Sequence, residues 1–455
     1  MISYCFAGGA SRLQPLSTKF VLLCVLLISL PLSAQTGSGF ELLAGVAFED
    51  VTNANREAEP TRMIDEYQWR PSLTANGVLV GSLMRLEIDG SYEMRRFSEQ
   101  KVQDHELFLG DLTWFLGSST SRFMADISHR SAELLIDPSQ GDAPDNLDRR
   151  NSTSATGWLR LGSPQSQWLL DINTSKVAFD LAQASNSHRQ GGGIRYDRGI
   201  SPISRFGVEL SGYQLKYDNT TDQLMVPVAE QISQETFNYS RAALSWSTSL
   251  ERLQYSLSIG RNKTDGGSGS ALYDIQIEYL GDTHELSTAF RQWITDTSQG
   301  AGAQALTSEG GELDGRVGVL DQYKRRDGHV EWLYRALCSR CALAVTLGAQ
   351  REDYQQATQF DSTELFGHLQ LNYRQSRHGY LNTSYRVIEV DFTHTQGDYD
   401  EALWRVEVGL NSLVRHGTLR FYAQHADRRN HHDGAANNYS RGLIGVAFDY
   451  VLYRR

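Results

Sequence analysis

Two cysteines, Cys338 and Cys341, form a C-x-x-C motif of the kind that redox and zinc sites use. A zinc site needs a second pair of Cys or His ligands, and no such pair lies nearby at the required spacing. A redox site needs a strand–helix context, which the surrounding sequence lacks. Cys5 and Cys24 lie near the N-terminus, in a segment that we expect to be removed. An oxidising compartment favours a disulfide between the remaining pair, and two idle thiols are the alternative.

Histidines and aspartates are the other groups that could bind a metal. His431, His432 and Asp433 are contiguous, with His425 upstream. Their position in a polar loop favours a solvated cluster over a metal site. Aspartates in a second long loop could share divalent cations with lipopolysaccharide phosphates or simply be solvated. These are Asp137, Asp142, Asp145 and Asp148. We therefore predict no metal centre and no cofactor.

Motifs of enzymes and of nucleic-acid-binding proteins are missing from the sequence. It has no G-x-S-x-G or H-E-x-x-H motif and no phosphate-binding loop. The formal net charge of −11 argues against general nucleic-acid binding, which calls for basic patches. We predict that the protein is not an enzyme and has no nucleic-acid partner.

Alternating strands are the elements that must position the polar residues, and the stretch 78–94 is the clearest example. Its apolar face comprises Val78, Val80, Met84, Leu86, Ile88, Tyr92 and Met94, opposite a charged face. Similar alternation recurs at 253–259, 273–279, 364–374 and 404–411. Runs of ten or more residues exceed the average of about 5–6 in soluble proteins and match the 9–11 that cross a membrane at a tilt. The pattern predicts a transmembrane β-barrel.

Short and long connections alternate along the chain. Short turns are predicted at 76–77, 118–121, 162–165, 202–205, 250–252, 281–283, 338–341, 377–379 and 415–417. Long polar loops are predicted at 51–65, 135–154, 220–235, 297–315 and 429–438. This alternation is typical of outer-membrane barrels, whose short turns are periplasmic. It predicts an all-β fold, a single antiparallel barrel of about 20 strands (18–20), with short turns and both termini periplasmic.

Two strands change the parity of their apolar residues. Phe206, Val208 and Leu210 begin a strand that Tyr213, Leu215 and Tyr217 continue on the opposite parity, and 387–392 shows a similar slip. Either a β-bulge or a misplaced strand edge would produce this pattern.

The N-terminal sequence predicts that the protein is exported. Lys19 precedes an apolar run from Phe20 to Leu32, which ends in Ser33 and Ala34, and this order is typical of a secretory signal peptide. We assign 1–34 to the signal peptide and 35–455 to one barrel domain. No plug domain precedes the first strand at about Phe40, which disfavours a TonB-dependent transporter.

Charged residues should project into the lumen if the apolar faces meet lipid. The candidate pore-lining residues are Arg85, Glu87, Asp89, Glu93, Arg95, Asp274, Glu278, Arg374, Arg405 and Glu407. Both signs occur, together with Gln254, Gln370, Asn372 and Asn411. Such a lumen suits a neutral or weakly charged polar solute or polymer, whereas a porin for small anions would carry an excess of Arg and Lys.

Two resemblances support this interpretation. The last strand, 439–453, resembles the C-terminal strand by which outer-membrane proteins are recognised for assembly, with Gly445, Phe448 and Tyr450 at matching positions. It departs from that pattern at Leu443 and at the arginines that end the chain. The segments 321–337, 341–354 and 404–429 look like repeated hairpins of barrels found with exopolysaccharide and PEP-CTERM loci. This resemblance covers about the last third of the chain and implies an outer-membrane barrel, with polysaccharide export as the activity to test.

Three functions compete at this stage. The leading hypothesis is a passive outer-membrane conduit for a polar solute or polymer, with exopolysaccharide export as one form of it. The alternatives are a small-solute porin and a structural or assembly barrel that does not conduct. The expected partners are outer-membrane lipids and lipopolysaccharide, the barrel assembly machinery, and polysaccharide or its export proteins.

Overall fold

The computed structural model describes residues 38–454, except 56–59, 100, 103, 119, 136–146, 182–185, 219–235, 266–268, 298–304, 307–311, 314–320, 356, 394–397, 412–415 and 432–437. The predicted signal peptide, 1–34, lies outside these residues. The strands are β1 (Gly39–Val51), β2 (Glu66–Val80), β3 (Met84–Phe97), β4 (His105–Leu116), β5 (Phe123–Leu135), β6 (Leu147–Ser163), β7 (Ser166–Phe179), β8 (Ser187–Gly199), β9 (Ser204–Tyr217), β10 (Thr236–Ser249), β11 (Leu253–Thr264), β12 (Ser270–Leu280), β13 (His284–Asp296), β14 (Ala305–Leu306), β15 (Glu312–Leu313), β16 (Gln322–Tyr334), β17 (Cys341–Tyr354), β18 (Ser362–Tyr373), β19 (Gly379–Phe392), β20 (Tyr399–Asn411), β21 (Gly417–Asn430) and β22 (Tyr439–Arg454). Short 3₁₀ turns lie at Pro60–Arg62 and Thr358–Phe360.

Twenty of these strands form one closed antiparallel barrel. Each barrel strand pairs with the next one along the chain, and β1 pairs with β22 to close the sheet, for example at Val46 opposite Phe448. The two remaining strands, β14 and β15, pair only with each other. The predicted fold class and strand number are therefore confirmed. No helix in the part of the chain that the structure describes is long and apolar enough to cross a bilayer.

The two ends of the barrel differ in their connections. Nine connections of two to six residues join strands at one end, where β1 begins and β22 ends, and we call this the short-turn end. Connections of five to twenty-five residues lie at the opposite, long-loop end. The tightest turn, between β6 and β7, follows Gly162, whose φ of +100° a side chain would strain.

Two predicted connections are wrong. Asn76 and Gly77 lie inside β2, paired with Glu41 and Phe40 of β1, and the turn to β3 lies at 81–83. Thirteen consecutive pairs with β1 hold this segment extended, which outweighs the local turn preference of Asn-Gly. The predicted loop 135–154 is also too long, because β5 and β6 pair as far as Leu135 opposite Leu147.

The stretch 78–94 is therefore two strands rather than one. Val78 and Val80 pair with Glu87 and Arg85. Directly paired residues share one face of a sheet, so these two valines lie on the charged face and not with Leu86 and Ile88.

The outer surface is apolar and partly aromatic. Side chains such as Ile172, Leu210, Leu347 and Ile444 are more than half exposed, on the face opposite the charged residues. Aromatic side chains lie on this face near both ends. At the short-turn end these include Trp168, Tyr255, Tyr279, Tyr373 and Tyr450, which come from strands spread around the barrel, and at the long-loop end Phe48, Tyr67 and Trp69, which lie together on β1 and β2. An aromatic girdle beside an apolar band is typical of barrels that cross a membrane.

The two parity changes are neither bulges nor misplaced edges. β9 pairs without a register shift with β8 and β10, and β19 pairs equally regularly with β18 and β20. The apolar residues simply move to the inner face near the long-loop end. There Tyr213, Leu215 and Tyr217 pack with residues of β10 and β13, and Ile388 and Val390 pack with residues of β20 to β22.

Candidate functional site

The inner wall of the barrel is the candidate site, and β3 contributes five of the predicted lumenal residues. Arg85 and Glu87 form an exposed ion pair at the short-turn end, with 2.5 Å between Nε and Oε1. Asp89 pairs with Asn76 and with Asp111, which lines an inner cavity.

Glu93 and Arg95 lie further along the same face of β3. The Nε atom of Arg95 lies 3.0 Å from Glu93 Oε1, and Arg70 of β2 lies 3.6 Å from the same oxygen. All five predicted residues of β3 thus share one face of the sheet.

The other predicted residues lie on two further parts of the wall and in one turn. Asp274 on β12 lies 3.5 Å from Arg291 of β13, and Glu278 lines a cavity of about 530 Å³ near the short-turn end. Arg374 follows the last residue of β18 and is exposed in the turn before β19.

Arg405 and Glu407 on β20 form a hydrogen-bonded pair of 2.7 Å. Glu407 also accepts a hydrogen bond of 2.8 Å from the Tyr380 hydroxyl and lies 3.9 Å from Arg420. This carboxylate is therefore held by three groups, one on its own strand and one on each neighbouring strand.

One inner cavity, of about 630 Å³, brings three of the predicted residues together. Glu93, Arg95 and Arg405 line it with residues of β1, β2, β4, β5, β21 and β22. We call it the β1–β5 cavity. Its arginines and carboxylates are close in number: Arg70, Arg95, Arg130, Arg405 and Arg420 beside Glu93, Asp111, Glu133 and Asp449.

A second inner cavity, of about 590 Å³, lies in the wall between β8 and β16, and we call it the β8–β16 pocket. Four arginines line it, each from a different strand: Arg189, Arg241, Arg291 and Arg325. Four aromatic residues line it too: Tyr213, Tyr239, Trp293 and Tyr323. Asn262 and Asp327 complete its polar lining.

The aromatic residues of the pocket are fixed by stacking. The rings of Tyr213 and Tyr239 stack at 4.3 Å between centroids, and the Arg189 guanidinium lies 4.3 Å from the Tyr213 ring. Gly191 of β8 pairs with Tyr213 and makes this arrangement possible, because a Cβ there would lie 2.6 Å from Tyr213 Cβ. The Arg325 guanidinium lies 5.7 Å from the Trp293 ring.

Each arginine of the pocket has a carboxylate beside it. Arg189 is bonded to Asp296, Arg241 Nε lies 3.4 Å from Glu209, and Arg325 lies 3.6 Å from Glu352. Arg291 is the partner of Asp274. Of these residues, only Asp274 is among the predicted lumenal residues.

The pocket residues come from six strands far apart in sequence, so no local motif marks them. The sequence feature that could identify them is an arginine at an inward-facing strand position. β8, β10, β13 and β16 each have one.

The long connection between β13 and β16 reaches far from its base. Thr297 and Asp321 are hydrogen-bonded at 3.1 Å and close that base. The two short strands within the connection lie elsewhere, β14 against β20 and β15 against β5. These barrel strands are far apart around the barrel, so the β14–β15 hairpin lies within the barrel or across its mouth.

The cysteine pair and His431 lie at opposite ends of the barrel. Cys338 and Cys341 are joined by a disulfide in the turn between β16 and β17. His431 lies 2.9 Å from Asp400 at the long-loop end. His432, Asp433 and most of the predicted aspartate loop (Asp137, Asp142 and Asp145) lie outside the described residues. Among the residues that are described, no three His, Cys, Asp or Glu side chains are grouped to hold a metal.

Comparison with known proteins supports the fold. No protein-family model matches the sequence, and no curated protein is detectably similar to it. The copper transporter OprC is similar in structure, with a TM-score of 0.50 and 10% identity over 92% of this chain and 84% of that chain. Acinetobacter baumannii OccAB4 has a TM-score of 0.39 and 10% identity, covering 94% of this chain and all of its own. The siderophore receptor PirA of A. baumannii has a TM-score of 0.42 and 9% identity, covering 90% and 80%.

At these low identities the similarity establishes the fold alone. Of the three structures, only OprC reaches a TM-score of 0.50. The chain has the fold of the outer-membrane β-barrels, a class that includes transporters and channels.

Proposed function

We propose that this chain is a passive outer-membrane channel for polar solutes. The balance of charge on its inner wall carries the proposal. Arginines and carboxylates are close in number in the β1–β5 cavity, and each arginine of the β8–β16 pocket is paired with a carboxylate, so neither sign dominates across the lumen. A wall of this kind offers hydrogen-bonding groups to uncharged polar solutes without a long-range field that selects one ion.

The orientation follows the general plan of these barrels. The short turns and both termini face the periplasm, and the long loops face outward. Residues 1–34 act as the signal peptide. β22 is the strand that the barrel assembly machinery would recognise, and the apolar outer band contacts membrane lipid and lipopolysaccharide.

The β14–β15 hairpin limits the size of the solute. It approaches β5 and β20 and so reduces the free cross-section. A barrel of about 16–18 strands already leaves an aqueous channel, so twenty strands provide room for both a hairpin and a path beside it. We infer a narrowed pore.

Export of an exopolysaccharide is the finer hypothesis. The resemblance of the segments 321–337, 341–354 and 404–429 to barrels found at exopolysaccharide loci supports it. A polymer would have to pass the β14–β15 hairpin, so this function requires the hairpin to move aside.

Conductance in planar bilayers tests the proposal. The purified barrel should conduct, with a reversal potential near zero in a salt gradient. A variant in which a short Gly-Ser link replaces 298–320 should conduct more, because Thr297 and Asp321 already meet at the base. A barrel that conducts in neither form would be a structural barrel and would overturn the proposal.

Deletion of the gene in its host separates the two transport functions. Lost surface polysaccharide with normal uptake of small solutes supports export. Unchanged polysaccharide with impaired uptake of a small solute supports a porin.

A further inference from the structure

The β8–β16 pocket has the size and shape of a ligand site. Its volume of about 590 Å³ lies within the range of about 300–1,000 Å³ that is usual for small-molecule sites. Six strands supply its lining, so rigid sheet rather than loops holds the side chains in place.

The arginines of the pocket have hydrogen-bonding capacity that the protein does not use. The Nε atoms of Arg189, Arg241, Arg291 and Arg325 are buried and make no hydrogen bond to a described residue, although those of Arg241 and Arg291 lie 3.4 Å and 3.5 Å from carboxylate oxygens of Glu209 and Asp274. A buried N–H donor of this kind is unfavourable unless something accepts its hydrogen bond. The unmet donors of Arg189 and Arg325, on the two end strands of the lining, indicate a ligand with acceptor oxygens.

Two acceptors complement these donors. Asn262 Oδ1 and Asp327 Oδ1 are also buried in the pocket lining without a hydrogen bond to a described residue. A hydroxyl group donates as well as accepts, and can therefore bond to these oxygens and to the arginines.

The aromatic residues add a flat, apolar surface. The stacked pair Tyr213–Tyr239 and the ring of Trp293 line the same cavity. The electron-rich face of an aromatic ring attracts the weakly positive C–H groups on one face of a pyranose. Hydroxyls at the rim of such a sugar would then meet the polar groups of the lining.

The charge of the lining distinguishes an acidic from a neutral sugar. Four guanidinium groups line the pocket beside the single carboxylate of Asp327, whereas the carboxylates that pair with the arginines are not among the lining residues. Arginine is the side chain best suited to bind a carboxylate, through two parallel hydrogen bonds.

We propose that the β8–β16 pocket binds a sugar that carries a carboxylate, one or two rings in size. The proposal deepens the channel function and rests on it for its biological meaning. The pocket would raise the local concentration of a sugar acid on the wall of a channel whose overall ion selectivity is weak.

Calorimetric titration of the full-length mature barrel in detergent tests the site. The probes are D-galacturonate and D-galactose, which differ only at the carboxylate. Galacturonate should bind at one site, at least tenfold more tightly than galactose, because its carboxylate can form charge-assisted hydrogen bonds with the guanidinium groups. Equal affinity for the two sugars, or no binding of either, would overturn the proposal.

Two variants locate the site. Arg241 and Arg291 are each more than a third exposed, so R241Q and R291Q remove a charge from the pocket without leaving a buried carboxylate behind. Each should weaken galacturonate binding about tenfold or more. The matched control is Arg130→Gln in the β1–β5 cavity, where the arginine is half exposed and lies 3.7 Å from Asp111. Equal weakening by the control would place the binding elsewhere.

Conductance of the same preparations separates this proposal from the channel function. A barrel that conducts but binds no galacturonate refutes the pocket proposal alone. A barrel that binds galacturonate but never conducts refutes the channel function and leaves the pocket as a binding site.

Discussion

The two ends of the inner wall differ although the same strands form both. Near the short-turn end the inward side chains are charged and exposed, as in the pair Arg85–Glu87. Near the long-loop end the inward side chains are buried: Tyr217, Tyr399 and Val390 are each at most 1% exposed. The inner face therefore changes along the barrel axis from a solvated wall to a packed core.

This difference explains where sequence reasoning succeeds and where it fails. Alternation with a period of two identifies most strands, their number and which residues within one strand share a face, because these depend on local geometry. It does not identify which face is apolar near the long-loop end. Tyr217 and Val390 are buried by partners on other strands, and no local pattern reveals those partners.

The candidate site shows the same limit. Asp274 is recognisable as inward from its own strand, but its partner Arg291 becomes meaningful only when β8 to β16 are assembled into one wall. The turn at 81–83 was similarly hidden, because pairing of β2 with β1 overrides the Asn-Gly signal.

Removing one charge from an ion pair at each end should give the largest contrast. Glu401 and Arg428 are bonded at the long-loop end, with side chains at most 3% exposed, and the Arg428 guanidinium lies 3.7 Å from the Tyr399 ring. Glu401→Gln should lower the free energy of unfolding by about 3–5 kcal/mol, because it leaves a buried charge without its carboxylate. Glu87→Gln, at the exposed pair, should cost about 0–1 kcal/mol. Urea unfolding in lipid vesicles, followed by tryptophan fluorescence, measures both. Equal losses would show that the ends do not differ.

Truncating two leucines of β9 tests the packed core directly. Leu215 is fully buried on the inner face, and Leu210 is 54% exposed on the outer face. Leu215→Ala should cost about 2–5 kcal/mol through lost packing and the cavity left behind. Leu210→Ala should cost less, because lipid can fill the space. The same unfolding measurement applies. A larger loss of unfolding free energy for Leu210→Ala than for Leu215→Ala would contradict the assignment of the packed core to the inner face.

Placing arginine on each face of β12 tests the inner and outer assignment at mid-strand. Ile275 pairs with Leu257 and Phe290, whose side chains are exposed on the outer face. Ile275→Arg should cost about 2–4 kcal/mol, because the charge enters the lipid. Gln276→Arg, on the inner face, should be tolerated. Heat-modifiable migration on gels reports the folding of both variants. If Gln276→Arg impaired folding more than Ile275→Arg, the assignment of the inner and outer faces would be wrong.

The smallest expected effect concerns pH at the long-loop end. A hydrogen bond with Asp400 raises the pKa of His431 above its ordinary value near 6.5. The pKa of His431 is higher in the folded state than in the unfolded state. The His431–Asp400 pair therefore stabilises the β21–β22 connection fully below about pH 6.5 and loses this effect as the pH rises through the raised pKa. Protease protection of the loop should therefore fall with rising pH in the wild type and remain flat in His431→Ala. A wild-type profile as flat as that of the variant would rule out the coupling.

Cysteine labelling along β19 tests the change from solvated wall to packed core most directly. Asn382 and Val390 share the inner face at opposite ends of the strand, and Val387 lies between them on the outer face. Single cysteine variants at these positions, in vesicles, would be treated with a charged, membrane-impermeant thiol reagent, since the native Cys338 and Cys341 are already paired. We expect rapid labelling at position 382 and protection at positions 390 and 387. Rapid labelling at position 390, equal to that at 382, would contradict the account.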